Sequence, residues 1–597
     1  MNYEQFGVFS GRGTSKYKYK IVDVEGLAKA AGAGIFPNSS AIKRDPNFKK
    51  WLTKASADRV PWNHVNTGDP QSDFYVWATA EGVGPGTQLF FTGEALLNAG
   101  HYEQALKAYY ASLVHFPGEA VWSADLTFVW YIGPAALNRI EEITNHHPEL
   151  GFKLAGAFCK IENAEDTNLK NDIVTVDPGH WEKVQPAKLG LEGLKIIRER
   201  GKGRVRLVQY ENRHWQLIVD GAPLVVHGVS YMPTPIGLHI SEYGNKWMYE
   251  DRNHNGKPDA PYDAFVDRNK NGKKDRDEKP VGDFQLMKDM GVNAIRIYRM
   301  STDLKYDSRE FNKKLLRDLY KTYGIRVVMG DYLGAYTVGS GASYEAGTDY
   351  TDPVQKKHMK NLVAAYVNDH KKEPYVLMWL LGNENLMSAD YSGVNATRTL
   401  ASKQPEAYLK FVNEVAGMIH SLDPDHPVAV GNWEKGFLEE HAKYAPAVDI
   451  MGVNSYQGKV GFGRLWKDVR EKFDRPVLIT EYGVDAFDWR TGEEDEKVQA
   501  EYHEGNWKDI EYHLAGGAGE GNSIGGIIFE WLDEWWKSNL GSWNVHEKTK
   551  DQPMAFPDGF SSEEWFGLFS AGDGEESPFY RSPRQVYFLY KDKLWRK

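Results

Sequence analysis

Alternating strand and helix patterns over the last part of the chain limit its fold more than any other feature. From about residue 222, short apolar stretches alternate with amphipathic ones, which is typical of a parallel α/β fold. Eight strands are predicted, at 224–231, 293–298, 326–332, 375–384, 427–433, 449–456, 476–483 and 525–533. Helical stretches lie between them, among them 308–324, 353–370 and 463–473. No Gly-rich nucleotide fingerprint follows the first strand, so the pattern favours a (β/α)8 TIM barrel over an open, doubly wound sheet.

The first 200 or so residues give a different pattern. Residues 89–117 carry small and aromatic residues at tetratricopeptide-like offsets: Gly93, Gly100, Tyr102, Ala105, Tyr109 and Pro117. Only one copy is evident, and a solenoid needs about three. The segment therefore predicts a helical hairpin within an accessory domain, with a protein partner as a further possibility.

Downstream of that hairpin the pattern changes from helix to strand. Residues 138–151 predict a helix, 172–181 a strand, and 203–224 a β-hairpin with Asp220-Gly221 as its turn. We therefore predict a mostly helical, tetratricopeptide-like accessory domain with a short β region at 1–205, followed by a barrel at 206–597.

The amino-acid composition limits the classes of partner that the protein can have. There are 72 basic and 83 acidic residues, and 72 − 83 = −11, which disfavours nucleic acid or an anionic membrane as the main partner. The sequence has no apolar run of about 18 residues, so we expect no membrane-spanning segment. The single Cys159 excludes an intramolecular disulfide, and the opening MNYEQFGVFS does not resemble a signal peptide. The 19 Trp and 33 Tyr residues suit either sugar-ring binding or aromatic-rich cores.

Polar and aromatic residues gather at the carboxyl ends of the predicted strands, where TIM barrels carry their chemistry. From the second strand to the eighth these are Arg296, Tyr298 and Arg299; Asp331 and Tyr332; Asn383 and Glu384; Asn432 and Trp433; Asn454 and Tyr456; Glu481 and Tyr482; Glu530 and Trp531. A purely structural barrel would not need such groups at nearly every strand end. The pattern predicts a pocket.

Glu384 and Glu481 end the fourth and seventh strands, on opposite sides of the barrel mouth. Two carboxyl groups facing across a pocket are what glycoside hydrolysis needs, one to protonate the leaving oxygen and one to attack carbon or activate water. For either residue alone, a salt-bridged position on the rim is the competing interpretation.

Several motifs together resemble the clan A retaining glycoside hydrolases. These are GNEN and ITEYG at the ends of the fourth and seventh strands, GVNAIRIY on the second and VNSY on the sixth. Within the clan, the barrel resembles family 2 β-glycosidases and family 72 β-1,3-glucanosyltransferases. It departs from family 2 by its predicted N-terminal helices, and from family 72, which carries disulfides, by its single cysteine.

The resemblance implies roles for individual residues. Glu384 would be the acid/base and Glu481 the nucleophile, with the two carboxyl groups about 5 Å apart. Asn383 would contact the sugar 2-hydroxyl, and Trp531 would form the floor of the −1 subsite. The further substrate-binding residues that we predict are Arg296, Tyr298, Tyr456, Trp433 and Glu530.

A polar insertion after the first strand, residues 251–278, contains two calcium-type loops. The second fits the EF-hand pattern, with candidate ligands Asp267, Asn269, Asn271, Lys273 (through its carbonyl), Asp275 and Glu278. The first begins alike, with Asp251, Asn253, Asn255, Lys257, Asp259 and, one place late, Asp263. We predict one or two structural Ca²⁺ ions; the alternative is a solvated polar loop.

The expected protein is a retaining β-glycosidase or transglycosylase acting on a β-glucan-like poly- or oligosaccharide. Trp433, Trp489, Trp535 and Trp536 would offer sugar platforms. Two alternatives stay open: an exo-acting β-galactosidase-like or β-glucuronidase-like enzyme, and a non-catalytic carbohydrate-binding protein. Calcium loops of this type predict a periplasmic or secreted protein.

Overall fold

A computed structural model describes most of the barrel and parts of the N-terminal region. The described residues are 85–98, 100, 102–115, 120–122, 129–150, 152–155, 160–163 and 190–596, except 302, 388–395, 459–460, 464, 490, 539, 552–553, 555 and 558–559. The predicted strand at 172–181 and Pro117 lie outside these residues. The chain forms two compact units, one of residues 1–187, 457–464 and 553–559 and one of 188–456, 465–552 and 560–597.

The described part of the N-terminal unit contains three α-helices and two small hairpins. Its elements are α1 (Pro85–Asn98), α2 (Tyr102–His115), β1 (Ala120–Trp122), β2 (Val129–Tyr131), α3 (Ile132–His146), a 3₁₀ turn (Pro148–Leu150), β3 (Phe152–Ala155) and β4 (Lys160–Asn163). β1 pairs antiparallel with β2, and β3 with β4. Helices Pro85–Asn98 and Tyr102–His115 lie in the region of the predicted hairpin, and helix Ile132–His146 overlaps the predicted helix at 138–151.

Close packing joins the three helices. A Cβ on Gly93 would come within 2.7 Å of the Tyr109 ring, so the missing side chain leaves room for that ring. The Tyr109 hydroxyl donates to Glu94 Oε1 at 2.5 Å, and Arg139 of α3 donates to the same oxygen at 2.7 Å. A buried tyrosine and one shared carboxylate therefore link α1, α2 and α3.

Eight parallel strands close into the predicted barrel, and the fold prediction is confirmed. In chain order they are β9 (Val226–Ser230), β11 (Ala294–Ile297), β12 (Arg326–Asp331), β13 (Val376–Leu381), β14 (Val428–Trp433), β15 (Ile450–Asn454), β16 (Val477–Tyr482) and β19 (Ser523–Ile528). Neighbours along the chain pair, and β19 closes the barrel by pairing with β9.

Helices alternate with these strands. The α-helices of the barrel unit are α4 (Ile240–Tyr243), α5 (Asp259–Asp263), α6 (Asp283–Met290), α7 (Lys313–Tyr323), α8 (Pro353–His370), α9 (Pro405–Leu422), α10 (Leu438–Tyr444), α11 (Leu465–Lys472), α12 (Glu496–Tyr512) and α13 (Gln585–Leu589). Short 3₁₀ turns lie at Gly244–Met248, Ser308–Glu310, Ala335–Thr337, Trp535–Lys537 and Glu563–Trp565, and a π turn at Tyr590–Leu594. Asp352 caps α8 by accepting the N–H groups of Val354 and Gln355, and Pro353 fits its first turn.

A four-stranded antiparallel sheet precedes the barrel. It consists of β5 (Ile196–Arg200), β6 (Val205–Tyr210), β7 (Trp215–Val219) and β8 (Ala222–Pro223). Asp220 and Gly221 form the predicted turn, between β7 and β8, with φ of 51° and 85° as a type I′ turn requires. The apolar face of this sheet shares one buried cluster with barrel residues such as Val226 and Val328, so it covers the amino-terminal end of the barrel.

The chain end returns to the barrel through short strands. β10 (Phe265–Val266), β20 (Phe569–Ser570) and β21 (Tyr580–Pro583) form one small sheet, in which β10 pairs parallel with β21. β17 (Phe487–Asp488) and β18 (Glu493–Glu494) form a hairpin after β16. No helix among the described residues is both long and apolar enough to cross a bilayer.

Candidate active site

Glu481 lies near the end of β16, buried among hydrogen-bond donors. Its Oε1 accepts hydrogen bonds from Arg296 Nη1 at 2.8 Å and from the Tyr298 hydroxyl at 2.5 Å, both from the second barrel strand or just beyond it. Its Oε2 accepts the Tyr456 hydroxyl at 3.0 Å, from beyond the sixth. Burial raises the pKa of Tyr298 well above its usual value, so this phenol is a donor at neutral pH. The Glu481 carboxyl group is therefore an acceptor of three hydrogen bonds from neighbouring side chains.

Glu384 lies in a tight turn just after β13. The turn begins at Gly382 (φ 79°), where a Cβ would come within 2.6 Å of Asn385 Oδ1, and Glu384 itself has φ 57°, unusual for a residue with a side chain. Asn385 fixes the turn: its Oδ1 accepts the N–H of Asn383 at 2.8 Å, and its Nδ2 donates to the Tyr350 hydroxyl at 2.7 Å. A strained conformation held this way fits a functional position.

Burial gives Glu384 a different protonation state from an ordinary glutamate. Desolvation, followed by the nearby charge of Glu481, raises the pKa of Glu384 to about 8. The hydrogen bond from Asn454 Nδ2 to Glu384 Oε1, at 2.9 Å, opposes this rise. At neutral pH Glu384 therefore holds a proton, as a general acid requires.

One hydrogen-bond network connects the two glutamates. Arg296 Nη2 donates to Asn383 Oδ1 at 2.8 Å, while Asn454 Nδ2 reaches the same oxygen at 3.1 Å. Thr480 Oγ1 donates to Asn454 Oδ1 at 2.7 Å and fixes that amide. The structure thus brings Asn383, Arg296, Tyr298 and Tyr456 together with Glu384 and Glu481.

Three contributors were not among the predicted site residues. Asn385 accepts the backbone N–H of Asn383, and Thr480 donates to the Asn454 side chain. The Tyr336 hydroxyl, in the loop after β12, accepts a hydrogen bond from Asn383 Nδ2 at 3.4 Å. Asn385 is the last residue of GNEN and Thr480 the second residue of ITEYG, so the two motifs were a usable signal for them. Tyr336 lies in a loop without any strand-end pattern.

The predicted tryptophans occupy several different environments. Trp531 is 1% exposed, with its ring 4.6 Å from that of Phe569, so a role as subsite floor stays a prediction. Trp535 stacks on His546, and Trp489 packs against Phe560 and the Lys550 ammonium group. Trp433 ends β14, partly exposed.

Trp536 belongs to the surroundings of the glutamate pair. It packs against an apolar cluster that includes Tyr298 and Tyr332. Glu530, the remaining predicted binding residue, follows β19 and is 2% exposed. Burial, followed by the charge of Glu534, raises the pKa of Glu530 well above its usual value.

The two calcium-type loops share one hydrogen-bond pattern. In the first, Asp251 Oδ2 accepts the N–H of Gly256 and Asn255 Oδ1 that of Lys257, at 2.8 and 2.9 Å. The second loop repeats both bonds. Asp267 Oδ2 accepts the N–H of Gly272 at 2.8 Å, and Asn271 Oδ1 accepts the N–H of Lys273 at 2.9 Å. In each loop the two asparagines donate to one carboxylate, Asp263 and Asp275 respectively.

The two loops differ in how they close. Glu278 closes the second by accepting the N–H groups of Arg268 and Asp275 at 2.7 and 2.9 Å. In the first, Asp259 accepts the N–H of Arg252 at 2.8 Å, and its other oxygen is buried without a hydrogen-bond partner. Across the described part of the chain no group of three or more His, Cys, Asp or Glu side chains that could hold a metal ion was found.

Comparison with known proteins places this geometry in a family context. Residues 266–507 match the family model "Glycosyl hydrolases family 2, TIM barrel domain". A probable mannan endo-1,4-beta-mannosidase C of Aspergillus terreus (strain NIH 2624 / FGSC A1156) is 32% identical over 134 residues, which cover 21% of this chain and 32% of that protein. A beta-glucuronidase of Paenibacillus borealis is 26% identical over 140 residues, covering 22% of this chain and 20% of that protein.

Solved structures give a further comparison. A structure of the beta-D-glucuronidase of Dictyoglomus thermophilum aligns with a TM-score of 0.37 and 17% identity, over 67% of this chain and 54% of that chain. The chain spans only about a third of the mannosidase and a fifth of the Paenibacillus protein. The closed barrel and the family-model match show a (β/α)8 barrel that resembles the TIM barrel domain of glycosyl hydrolases family 2.

Proposed function

We propose that the protein is a retaining β-glycosidase or transglycosylase in which Glu384 is the acid/base and Glu481 the nucleophile. The observation that carries the proposal is the asymmetry of the pair. Burial raises the pKa of Glu384 to about 8, and its carboxyl group accepts one hydrogen bond from the described side chains, whereas the carboxyl group of Glu481 accepts three. One residue can therefore give a proton while the other offers electrons.

The mechanism has two displacements. Glu481 Oε attacks the anomeric carbon while Glu384 protonates the departing glycosidic oxygen, so the C–O bond breaks and a glycosyl ester forms. Glu384, now a carboxylate, then takes a proton from water or from a sugar hydroxyl, which attacks the anomeric carbon and releases Glu481. Water gives hydrolysis and a sugar gives transfer.

Replacing the proposed nucleophile tests this assignment. Glu481→Gln should lower kcat by at least about 1,000-fold on the best β-linked oligosaccharide while sugar binding remains, because the amide cannot form the ester. Glu373→Gln is the matched control, since Glu373 is also buried and paired, with Arg317, but lies at the amino-terminal side of β13. Unchanged turnover in Glu481→Gln would exclude the mechanism.

Stereochemistry gives an independent test. Retention requires that the first product released from a β-glycoside has the β configuration, which proton NMR resolves before mutarotation. An α product would assign the pair to an inverting enzyme. A protein that binds sugars without any turnover would instead be a carbohydrate-binding module.

For the substrate, we propose a β-glucan-like oligo- or polysaccharide with an acceptor sugar or water. The relatives' names, a mannosidase and a glucuronidase, support a β-linked substrate but differ in the sugar. Incubation with β-linked glucan, mannan and galactan oligosaccharides, followed by mass analysis, separates the possibilities. Products longer than the substrate indicate transfer, and monosaccharides alone indicate an exo-acting enzyme.

We also propose that the loops at 251–263 and 267–278 each hold a structural Ca²⁺. Support comes from the matching bonds at equivalent positions and from the buried Asp259 oxygen that accepts no hydrogen bond. An oxygen that accepts one backbone N–H keeps a lone pair for a hard cation. Loops of this type work at millimolar calcium, so we propose a periplasmic or extracellular location.

Thermal unfolding with 2 mM Ca²⁺ or with excess EGTA tests the calcium proposal. Ca²⁺ should raise Tm by several degrees, since it binds only the folded loops. Asp267→Ala should reduce this shift, whereas Asp277→Ala should not, because Asp277 is an exposed aspartate of the same loop outside the ligand set. Equal Tm values with and without Ca²⁺ would refute the proposal. A protein partner for the α1–α2 hairpin stays a prediction.

A further inference from the structure

A buried charged cluster, consisting of Lys537, Glu530, Glu534 and Glu563, lies beside the glutamate pair. We propose that this lysine cluster makes the site select neutral sugars over uronic acids. The inference rests on the proposed glycosidase function and adds the chemical class of the substrate.

The cluster follows the last barrel strand and reaches Glu481 through aromatic side chains. The Phe529 N–H donates to the Tyr482 carbonyl at 2.8 Å, and the Phe529 ring lies 5.6 Å from that of Phe566. Phe566 in turn lies 5.9 Å from Tyr456, which donates to Glu481. Lys537 Nζ lies 4.4 Å from the Phe529 ring centre, and the charge of Glu481 acts on it together with the carboxylates of the cluster, so Lys537 lies within electrostatic range of the proposed nucleophile.

The positive charge of Lys537 is already neutralised. Its Nζ lies 3.1 Å from Glu563 Oε2 and 3.2 Å from Glu534 Oε2. Burial alone would lower the pKa of Lys537, but the charges of Glu563, Glu534 and Glu530 raise it well above its usual value. Lys537 is therefore an ammonium ion committed to carboxylates of its own chain.

The other nearby cation is committed as well. Arg296 is 1% exposed and donates to Glu481, to the Thr480 carbonyl and to Asn383. The carboxylate of a bound uronate would lie close to several acidic groups of the protein. Neither Lys537 nor Arg296 could turn towards that carboxylate without leaving a buried carboxylate of the protein unpaired. Charge therefore opposes an acidic sugar.

Unused polar atoms favour hydroxyl groups instead. Glu530 Oε1 and Glu534 Oε1 are buried and accept no hydrogen bond from the described part of the chain, whereas Glu534 Oε2 is paired with Lys537. Trp536 Nε1, on the ring that packs against the Tyr298 cluster, likewise has no acceptor there. Buried polar atoms normally have partners, and a sugar hydroxyl can both donate and accept. A neutral, hydroxyl-rich ligand meets these needs.

A matched substrate pair tests the inference. The β-linked oligosaccharide that the enzyme cleaves fastest is compared with the same compound oxidised at C6 to the uronate, along with 4-nitrophenyl β-D-glucoside and glucuronide. We expect kcat/KM to be at least 100-fold higher for the neutral member. Glu563→Gln should reduce that ratio at least about tenfold, since one negative charge is removed, while the distant Glu373→Gln should leave it unchanged.

The outcomes separate this inference from the proposed function. Equal or faster turnover of the uronate by the wild type overturns the selectivity while the glycosidase function stands. A ratio unchanged in Glu563→Gln also overturns it. If that variant does not fold, Glu534→Gln and competitive inhibition of the wild type by glucose and glucuronate give the same comparison. No turnover of any substrate would refute both proposals.

Discussion

Glu384 and Glu481 have the same side chain but different neighbours, and this difference sets the pH dependence. Because burial and the charge of Glu481 raise the pKa of Glu384 to about 8, the acid stays protonated at neutral pH and loses its proton above that value. We expect kcat/KM to fall as pH rises through about 8, as measured with an unactivated β-glycoside from pH 5 to 10.

The leaving group provides the control for this pH profile. The 2,4-dinitrophenolate of a 2,4-dinitrophenyl glycoside leaves without being protonated. The rate of the glycosylation step with this substrate should therefore not fall above pH 8. A decline with the same apparent pKa for both substrates would show that some other group, not the Glu384 proton, sets the basic limit.

The raised pKa of Glu384 also affects stability. An unfolded glutamate ionises near pH 4.5, whereas the folded one holds its proton to about 8, so the folded state loses stability as pH rises through that window. Glu384→Gln cannot ionise and should gain on the order of 3 kcal/mol over the wild type at pH 8, but little at pH 4. Urea unfolding at both pH values measures the difference. A gain equal at both would point to altered packing instead.

The sequence could predict that Glu384 and Glu481 lie in one site, because the carboxyl ends of all strands of a (β/α)8 barrel surround the same opening. It could not find Tyr336, since a loop rather than a strand brings its hydroxyl to Asn383. Nor could it tell that Trp531 would be buried against Phe569, because that contact depends on how the chain end folds back. Side-chain contacts made by loops leave no periodic pattern.

At the scale of elements, the predicted strands agree with the barrel except at two carboxyl ends. The fourth strand was predicted to residue 384 but ends at Leu381, because Gly382 adopts φ 79°. The eighth was predicted at 525–533 but spans Ser523–Ile528. Residues beyond Ile528 continue the apolar pattern because they pack against the chain end, not because they extend the sheet.

Barrel closure depends on a glycine in the last strand. Gly525 has φ 118°, and a Cβ there would come within 2.3 Å of the Val226 carbonyl oxygen on the first strand. Gly525→Ala should therefore lower the free energy of unfolding by several kcal/mol, or prevent folding. Urea unfolding or soluble yield measures the effect.

A helical glycine provides the control. Gly417 lies within α9, and a Cβ there would have no heavy atom within 4 Å. Gly417→Ala should stabilise the protein by roughly 0.5–1 kcal/mol, because alanine loses less backbone freedom on folding. If both alanines had the same effect, strand pairing at Gly525 would not be the cause.

At the scale of the whole molecule, buried ion pairs fix the chain end to the barrel. Arg581 of β21 donates through Nε and Nη2 to both oxygens of Asp283 in α6, at 2.7 and 2.6 Å. Arg584 donates through Nη1 and Nη2 to both oxygens of Asp533, beyond the last barrel strand, at 2.7 Å each. Residues almost 300 positions apart are thereby joined, which no local sequence pattern reveals.

Removing one partner of such a pair should cost far more than removing both. Arg581→Met leaves the Asp283 carboxylate buried without its counter-ion, so the free energy of unfolding should fall by about 3–5 kcal/mol. Adding Asp283→Asn removes that charge while the amide oxygen can still accept the Tyr231 hydroxyl, so the double variant should recover part of the loss. The exposed pair of Lys410 and Glu406 on α9 is the control, and Lys410→Met should change little. Urea unfolding at pH 7 of the wild type, Arg581→Met, Asp283→Asn, the double variant and Lys410→Met measures the coupling. Losses that simply add for Arg581 and Asp283, or a loss for Lys410→Met as large as that for Arg581→Met, would mean that the buried pair does not anchor the chain end.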